Sequence, residues 1–156
     1  MVGPQTVSGS SVTSEQSTVL RATIPLRYGD VDRQGHVNNS SVLQIVESAR
    51  IALWNRAGLP ASPGQVIRQQ TIEYLAPIHA GHEAVAVEHR CAKIGRTSYV
   101  LEFRVLGLDG DVFCRGSVVL IAVDAEGVPQ EIPAALKTVL VSLQGHPADQ
   151  MSASTI

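Results

Sequence analysis

The stretch from Arg27 to Asn39 reads R-Y-G-D-V-D-R-Q-G-H-V-N-N and sets two carboxylates, an imidazole and two amides close together. An ionised Asp in such a cluster can take a proton from water or attack an electrophilic carbonyl carbon. A reference pKa near ~3.9 leaves it ionised at neutral pH. If a helix follows, the backbone N–H groups of its first turn add an anion-stabilising end at the same point. The residue types also have plain structural uses. Asp30 and Asp32 suit a solvated turn, with Asp30 the better turn or pairing residue. His36 suits a turn cap, and Asn38 and Asn39 suit a helix cap.

Other chemistries find less support. Asp30, Asp32, Gln34 and Gly35 resemble the start of a calcium loop, but position 12 of that loop falls on Ser41, where a bidentate Glu is needed. His79, His82 and His89 lack the helical spacing of a zinc site, and His79 and His82 flank Gly81 in a turn. Cys91 and Cys114 lie in apolar runs without metal-ligand spacing and read as reduced core thiols. No G-x-S-x-G elbow, phosphate-cradling glycine loop or dinucleotide fingerprint occurs.

The elements around the cluster follow from periodicity. Leu20, Ala22, Ile24, Leu26 and Tyr28 alternate with polar residues and Pro25, which predicts a strand near a sheet edge or bulge. Gly29 to Asn39 is a polar turn. Ser40 to Ala57 carries Val42, Ile45, Val46, Ala49 and Leu53 at helical spacing, with Gly58 and Pro60 as a stop. Leu43, Ile51 and Trp54 widen its apolar surface, so the helix is expected to be covered on most sides. Four strands follow: Val66 to Leu75, His82 to Lys93, a third around Tyr99 to Val105, and Val112 to Val123. Asp-Gly within Leu108 to Asp111 marks a hairpin. Pro133 to Leu143 reads as a short terminal helix. The order predicts an α+β domain in which an antiparallel meander wraps around one long helix.

The 156 residues suit one domain at 19–143, with a disordered lead over 1–18 and a loose tail over 144–156. Hydrophobic residues make up 44% against 17% charged, a globular profile rather than a disordered one. A net charge of -2 supplies no global field for nucleic acid or an anionic membrane. No signal peptide or spanning segment is visible, so a reducing cytoplasm is the expected compartment.

The string R-Y-G-D-V-D-R-Q-G-H-V-N-N-S-S-V-L, followed by V-E-S-A-R, resembles hotdog-fold thioesterases of the 4-hydroxybenzoyl-CoA thioesterase and long-chain acyl-CoA thioesterase type. The resemblance runs from about Leu20 to Leu143 and includes Y-L-A-P-I-H-A-G-H, I-G-R-T-S-Y and the Asp-Gly hairpin. It implies a hotdog fold: a sheet of about five strands around one helix. The family's catalytic Asp falls on Asp32. The His that assists in the similar acyl-carrier-protein thioesterases of plants falls on His36, while their intervening Asn is replaced by Gln34. The polarising backbone N–H at the helix start, seven residues beyond the Asp, falls on Asn39. The Glu of E-x-A-R falls on Glu47, which could equally be an i,i+3 partner of Arg50. Val42 stands where relatives often have an aromatic residue, against an aromatic-acyl specialist.

The reaction implied is hydrolysis of an acyl-CoA. A thiolate leaves readily, since thiol pKa values lie near ~8.5, so the enzyme needs an activated water or nucleophile and a charge stabiliser. Asp32 serves as base or nucleophile, with His36 and the backbone of Asn39 assisting; Asn38, Glu47, Tyr74, Lys93 and Arg96 complete the expected set as substrate-binding residues. Lys93 and Arg96 flank Gly95 and would meet CoA phosphates. No metal and no cofactor is expected. Open strand edges, and the shared sites of hotdog relatives, imply a homodimer or a pair of dimers. Asp32 and Asn39 of one chain are then expected to face Tyr74 or the Leu75 to His79 turn of the other. The alternatives are an acyl-carrier-protein thioesterase, a non-catalytic acyl-CoA binding module and, more remotely, a hydratase.

Overall fold

The computed structural model describes residues 19–59 and 64–145. The expected lead over 1–18 and most of the expected tail, 146–156, lie outside the described residues, as does Pro60. Five strands and two helices follow in the order β1 (Leu20–Pro25), α1 (Asn39–Arg56), β2 (Gln65–Tyr74), β3 (Ala84–Ile94), β4 (Ser98–Leu106), β5 (Val112–Ala122) and α2 (Ala134–Ser142). The first strand is shorter than its alternation predicts. It stops at Pro25, and Tyr28–Asp30 form a single 3-10 turn instead.

The strands form one antiparallel sheet in the order β1-β3-β4-β5-β2. Only β3, β4 and β5 form the expected meander. β2 lies at the far edge beside β5, with Tyr74 opposite Cys114. Pro25 is accommodated because β1 is the other edge and needs bonds on one side only. The Asp-Gly hairpin joins β4 to β5 as predicted: Gly110 adopts φ +100, and Gly107 N–H donates to the Asp111 carbonyl.

Strand alternation separates two faces. Val85, Val87, Cys91, Leu101, Phe103, Val105, Val118 and Leu120 point inward and are buried. The outer face carries cross-strand ion pairs: Arg21 with Glu88, Glu88 with Arg104, Arg90 with Glu102, and Arg115 with Glu73.

The helix α1 packs one face on the sheet through Val42, Ile45, Val46, Ala49, Leu53 and Trp54. Its expected coverage on most sides is not found. Leu43 and Ile51 are 36% and 43% exposed, because one curved sheet shields only one side of a helix in a single chain. Polar Arg50, in contrast, is buried.

The core divides into two apolar clusters. One joins the start of α1 to Val85, Val87, Phe103, Phe113 and Cys114. The other joins Leu53 and Trp54 to Tyr99, Leu101, Leu120 and the α2 residues Leu136 and Leu140. Along α1, Arg50 separates the residues of one cluster from those of the other; along β3, His89 does the same. Both side chains are buried, and Arg50 Nε and Nη1 and both His89 ring nitrogens have no partner among the described residues.

Candidate active site

The cluster of the D-V-D segment folds as two linked devices. The first is Asp30. Its carboxylate accepts from the Arg27 N–H at 2.8 Å and from Arg27 Nη2 at 3.0 Å, while its carbonyl accepts from Asn38 N–H at 2.7 Å. Burial alone would raise its pKa, but the side-chain and backbone hydrogen bonds from Arg27 outweigh it and hold the carboxyl below its ordinary value. Asp30 is therefore the pairing residue expected of it, and it anchors the residue that caps α1. Asn38 accepts from Ser40 N–H at 2.9 Å through its side chain, as a helix cap does.

The second device is a tight loop over residues 32–36, closed by a Val31–Val37 bridge. Asp32 N–H donates to the His36 carbonyl at 2.8 Å, and Gly35 turns the chain at φ +77. Asp32 Oδ1 accepts from Gln34 N–H at 2.8 Å and His36 N–H at 3.2 Å. Neither bond engages Oδ2. One carboxylate oxygen is thus tethered by main-chain donors, and the other is open to a ligand. The bond by which His36 orients Asp32 comes from its backbone N–H.

The turn after β2 is stapled to this loop. Val37 N–H donates to the Ile78 carbonyl at 2.8 Å, and Ala80 N–H to the Gly35 carbonyl at 2.9 Å. A cavity of about 480 Å³ opens between them. Asp32, Gln34, His36, Asn38 and Asn39 line one side, and Tyr74 to Ile78 line the other. Val42, Phe113 and Cys114, all buried, form its apolar floor. The N–H of Asn39, first residue of α1, has no acceptor within the helix and lies at this cavity. The arrangement offers a carboxylate oxygen, a helix N-terminus and an apolar floor to one bound group.

The predicted residues divide by position. Asp32, His36, Asn38, Asn39 and Tyr74 meet at the cavity. Tyr74 reaches it within the same chain, its hydroxyl 3.5 Å from the Asn39 carbonyl. Leu75 to Ile78 of the same chain line it too. Glu47 lies on the exposed side of α1 and does not line the cavity. Lys93 and Arg96 sit towards the opposite end of the sheet, separated from the cavity by most of the length of β4, roughly 20–30 Å. There Arg96 lies 3.7 Å from Glu131. The residues missed by sequence reasoning are Val37, Phe113 and Cys114. Their signal was present in the position of Phe113 and Cys114 just after the Asp-Gly hairpin, but the pairing of β5 with β2 was needed to use it.

Cys114 is no nucleophile in this setting. Burial pushes its thiol up to about 12. Among the described residues, no group of three or more His, Cys, Asp or Glu side chains is arranged to hold a metal ion.

A family model described as "Thioesterase-like superfamily" matches residues 26–140 of the 156. The chain belongs to the thioesterase-like superfamily. Its sheet wrapped around α1 is the hotdog fold of these enzymes, and by membership it is a thioester hydrolase. A thioesterase from Thermus thermophilus, solved in complex with coenzyme A and zinc, is 31% identical. The match covers 85% of this chain and 98% of that one, with a TM-score of 0.73. The PA2801 protein from Pseudomonas aeruginosa is 32% identical over 78% of this chain and 98% of its own, with a TM-score of 0.72. A 1,4-dihydroxy-2-naphthoyl-CoA thioesterase from Synechocystis matches over 80% of this chain and 97% of its own, with a TM-score of 0.71. At 14% identity that likeness bears on the fold alone. No helix among the described residues is long and apolar enough to cross a membrane.

Proposed function

We propose that the protein hydrolyses acyl-CoA thioesters, with Asp32 as the group that activates water or attacks the carbonyl. The observation that carries this reading is the half-tethered carboxylate. Asp32 Oδ1 is held by two main-chain N–H groups, and Oδ2 stands free at a cavity that also contains the start of α1. A thioester carbonyl placed there would have its oxygen near the Asn39 N–H and its acyl group over Val42, Phe113 and Cys114.

In the general-base route, Asp32 takes a proton from water while the water oxygen attacks the carbonyl carbon. Negative charge develops on the carbonyl oxygen and is stabilised at the helix start. Collapse breaks the C–S bond, the thiolate of CoA leaves, and the proton passes to it or to solvent. In the nucleophilic route, Asp32 Oδ2 attacks the carbon, the thiolate leaves, and water hydrolyses the mixed anhydride. In a single turnover in ¹⁸O-labelled water, label in Asp32 establishes the second route with water attacking the Asp carbonyl carbon of the anhydride; label in the product acid alone is given by the first route and by attack on the acyl carbon.

Coenzyme A as the carrier is supported by the Thermus thermophilus relative solved with it. Two chains joined along β2 complete the proposal. That edge is unpaired within the chain and exposes Val66, Ile67 and Tyr74 at 43–48%, and Tyr74 also lines the cavity. Lys93 and Arg96 would then reach CoA phosphates only from a second chain, and Glu47 would face the site only from a neighbouring helix. A panel of acyl-CoA substrates assayed by free-thiol release tests the activity. A wild-type protein that releases no thiol above buffer hydrolysis from any of them would remove the reading.

A further inference from the structure

The turn that closes the cavity carries a histidine to which the mechanism above gives no task. His79 follows Ile78 and pairs with His36 in an isolated antiparallel bridge. Residues opposite each other in such a bridge project side by side. Their rings meet with centroids 4.9 Å apart at 69°, edge to face. An imidazole has a positive edge and a negative face, so this contact selects one relative orientation.

The backbone of the turn does not depend on that ring. The bonds that staple it run from Val37 to Ile78 and from Ala80 to Gly35. The His36 ring, in contrast, has no hydrogen bond to any described residue that would fix it. It is half-buried at the cavity wall, and its main-chain N–H is spent on Asp32. Without a neighbour its two side-chain torsions would sample several wells. The edge contact with His79 is what restricts them.

We propose that His79 is a positioning residue: its imidazole holds the His36 ring at the cavity wall beside Asp32. The kinetic consequence rests on the thioesterase reading above; the structural one does not. A group that assists beside the reacting carboxylate, as His36 does in that reading, costs rate more than affinity when it loses its orientation.

The test uses His79→Ala, which removes the ring, and His79→Phe, which keeps an aromatic ring against His36. His79→Ala is expected to lower kcat on the order of 3- to 10-fold with KM moved less than about twofold, and His79→Phe to restore most of that loss. In a His36→Ala background, His79→Ala should cost nothing further, because its effect passes through the His36 ring. NMR of the His36 ring protons supplies a readout free of turnover. Their ring-current shift should be lost in His79→Ala and retained in His79→Phe. Unchanged His36 signals in His79→Ala would overturn the inference, as would an equal rate loss with and without His36. If the wild-type protein hydrolyses no thioester, the functional reading fails and the ring signals alone decide this one.

Discussion

The Asn38 main-chain N–H donates to the Asp30 carbonyl at 2.7 Å, so the buried Asp of the D-V-D segment is bonded directly to the residue that caps α1. Two residues on, Asp32 is exposed and tethered through one oxygen only. One Asp positions the helix start, and the other faces the cavity that the helix start enters.

The first prediction follows from that division. Asp32→Asn keeps both main-chain acceptor bonds through its amide oxygen, so the loop stays closed. It loses the group that can take a proton or attack, and the rate of thioester hydrolysis should fall by roughly a hundredfold or more. His36→Ala should cost less. Steady-state kinetics on the purified variants, with melting temperatures measured alongside, checks both. Near wild-type turnover by Asp32→Asn would take the assignment away from this residue.

Asp30→Asn should show the opposite pattern, a loss of stability larger than its loss of chemistry. The Asp30 carboxylate is buried and accepts charge-assisted bonds, but Arg27 is mostly exposed, so the loss is on the order of 1–2 kcal/mol. Its folded pKa is lowered, so its contribution is present above the unfolded value near ~3.9 and is lost as pH falls through the lower folded value. Wild type and Asp30→Asn should therefore differ in denaturation midpoint at pH 7 and converge in strong acid. A constant difference across that range would show that Asp30 stabilises by shape rather than by charge.

A second titration lies in the core. His89 is buried, and burial together with the neighbouring Arg50 charge pushes its pKa down to about 3. The folded chain holds it neutral, while the unfolded chain protonates it near pH ~6.5. Its contribution is full above that value and declines as pH falls from ~6.5 towards about 3. Between pH 7 and pH 5 the wild type should lose about 2 kcal/mol on this account. His89→Leu should flatten that part of the profile, even if its stability at pH 7 also changes. Equal slopes in urea titrations of the two proteins would exclude His89 as the cause.

What could be read in advance depended on distance along the chain. Alternation marked β1, β3 and β4, and Asn38, Gly58 and the Asp-Gly turn marked boundaries, because each is a local effect. The candidate site was legible for the same reason, as residues 30, 32, 36, 38 and 39 share one loop and helix start. The placement of β2 beside β5 was not, since nothing within Gln65–Tyr74 names its partner. That one pairing brings Tyr74 beside Phe113 and Cys114 at the cavity, whereas Lys93 and Arg96 lie at the other end because the β3–β4 hairpin turns there. Burial along α1 misled for a related reason. Arg50 looks polar yet is buried, its charge felt by His89, and Leu43 looks apolar yet faces outward, because the sheet covers a stripe set by geometry rather than by residue type.

The last prediction concerns that same edge. In one chain β2 presents a row of unpaired backbone groups, with Val66 and Ile67 48% and 45% exposed. A strand of this kind is a template for a second strand, and a second copy of β2 would extend the sheet. Tyr74 and Leu75, 43% and 47% exposed at the cavity rim, would be covered by the same event. The protein should sediment as a dimer at micromolar concentration, or as a pair of dimers. Replacing Val66 and Ile67 together by Lys places like charges across the new seam and should give a monomer. These two residues lie at the far end of β2 from Tyr74 and do not line the cavity, so they do not touch the proposed chemistry directly. If the site is completed by the partner chain, the monomer should retain its fold by circular dichroism and lose most of its thioesterase rate. A folded monomer with full activity would show that Asp32, Asn39 and the cavity floor suffice within one chain.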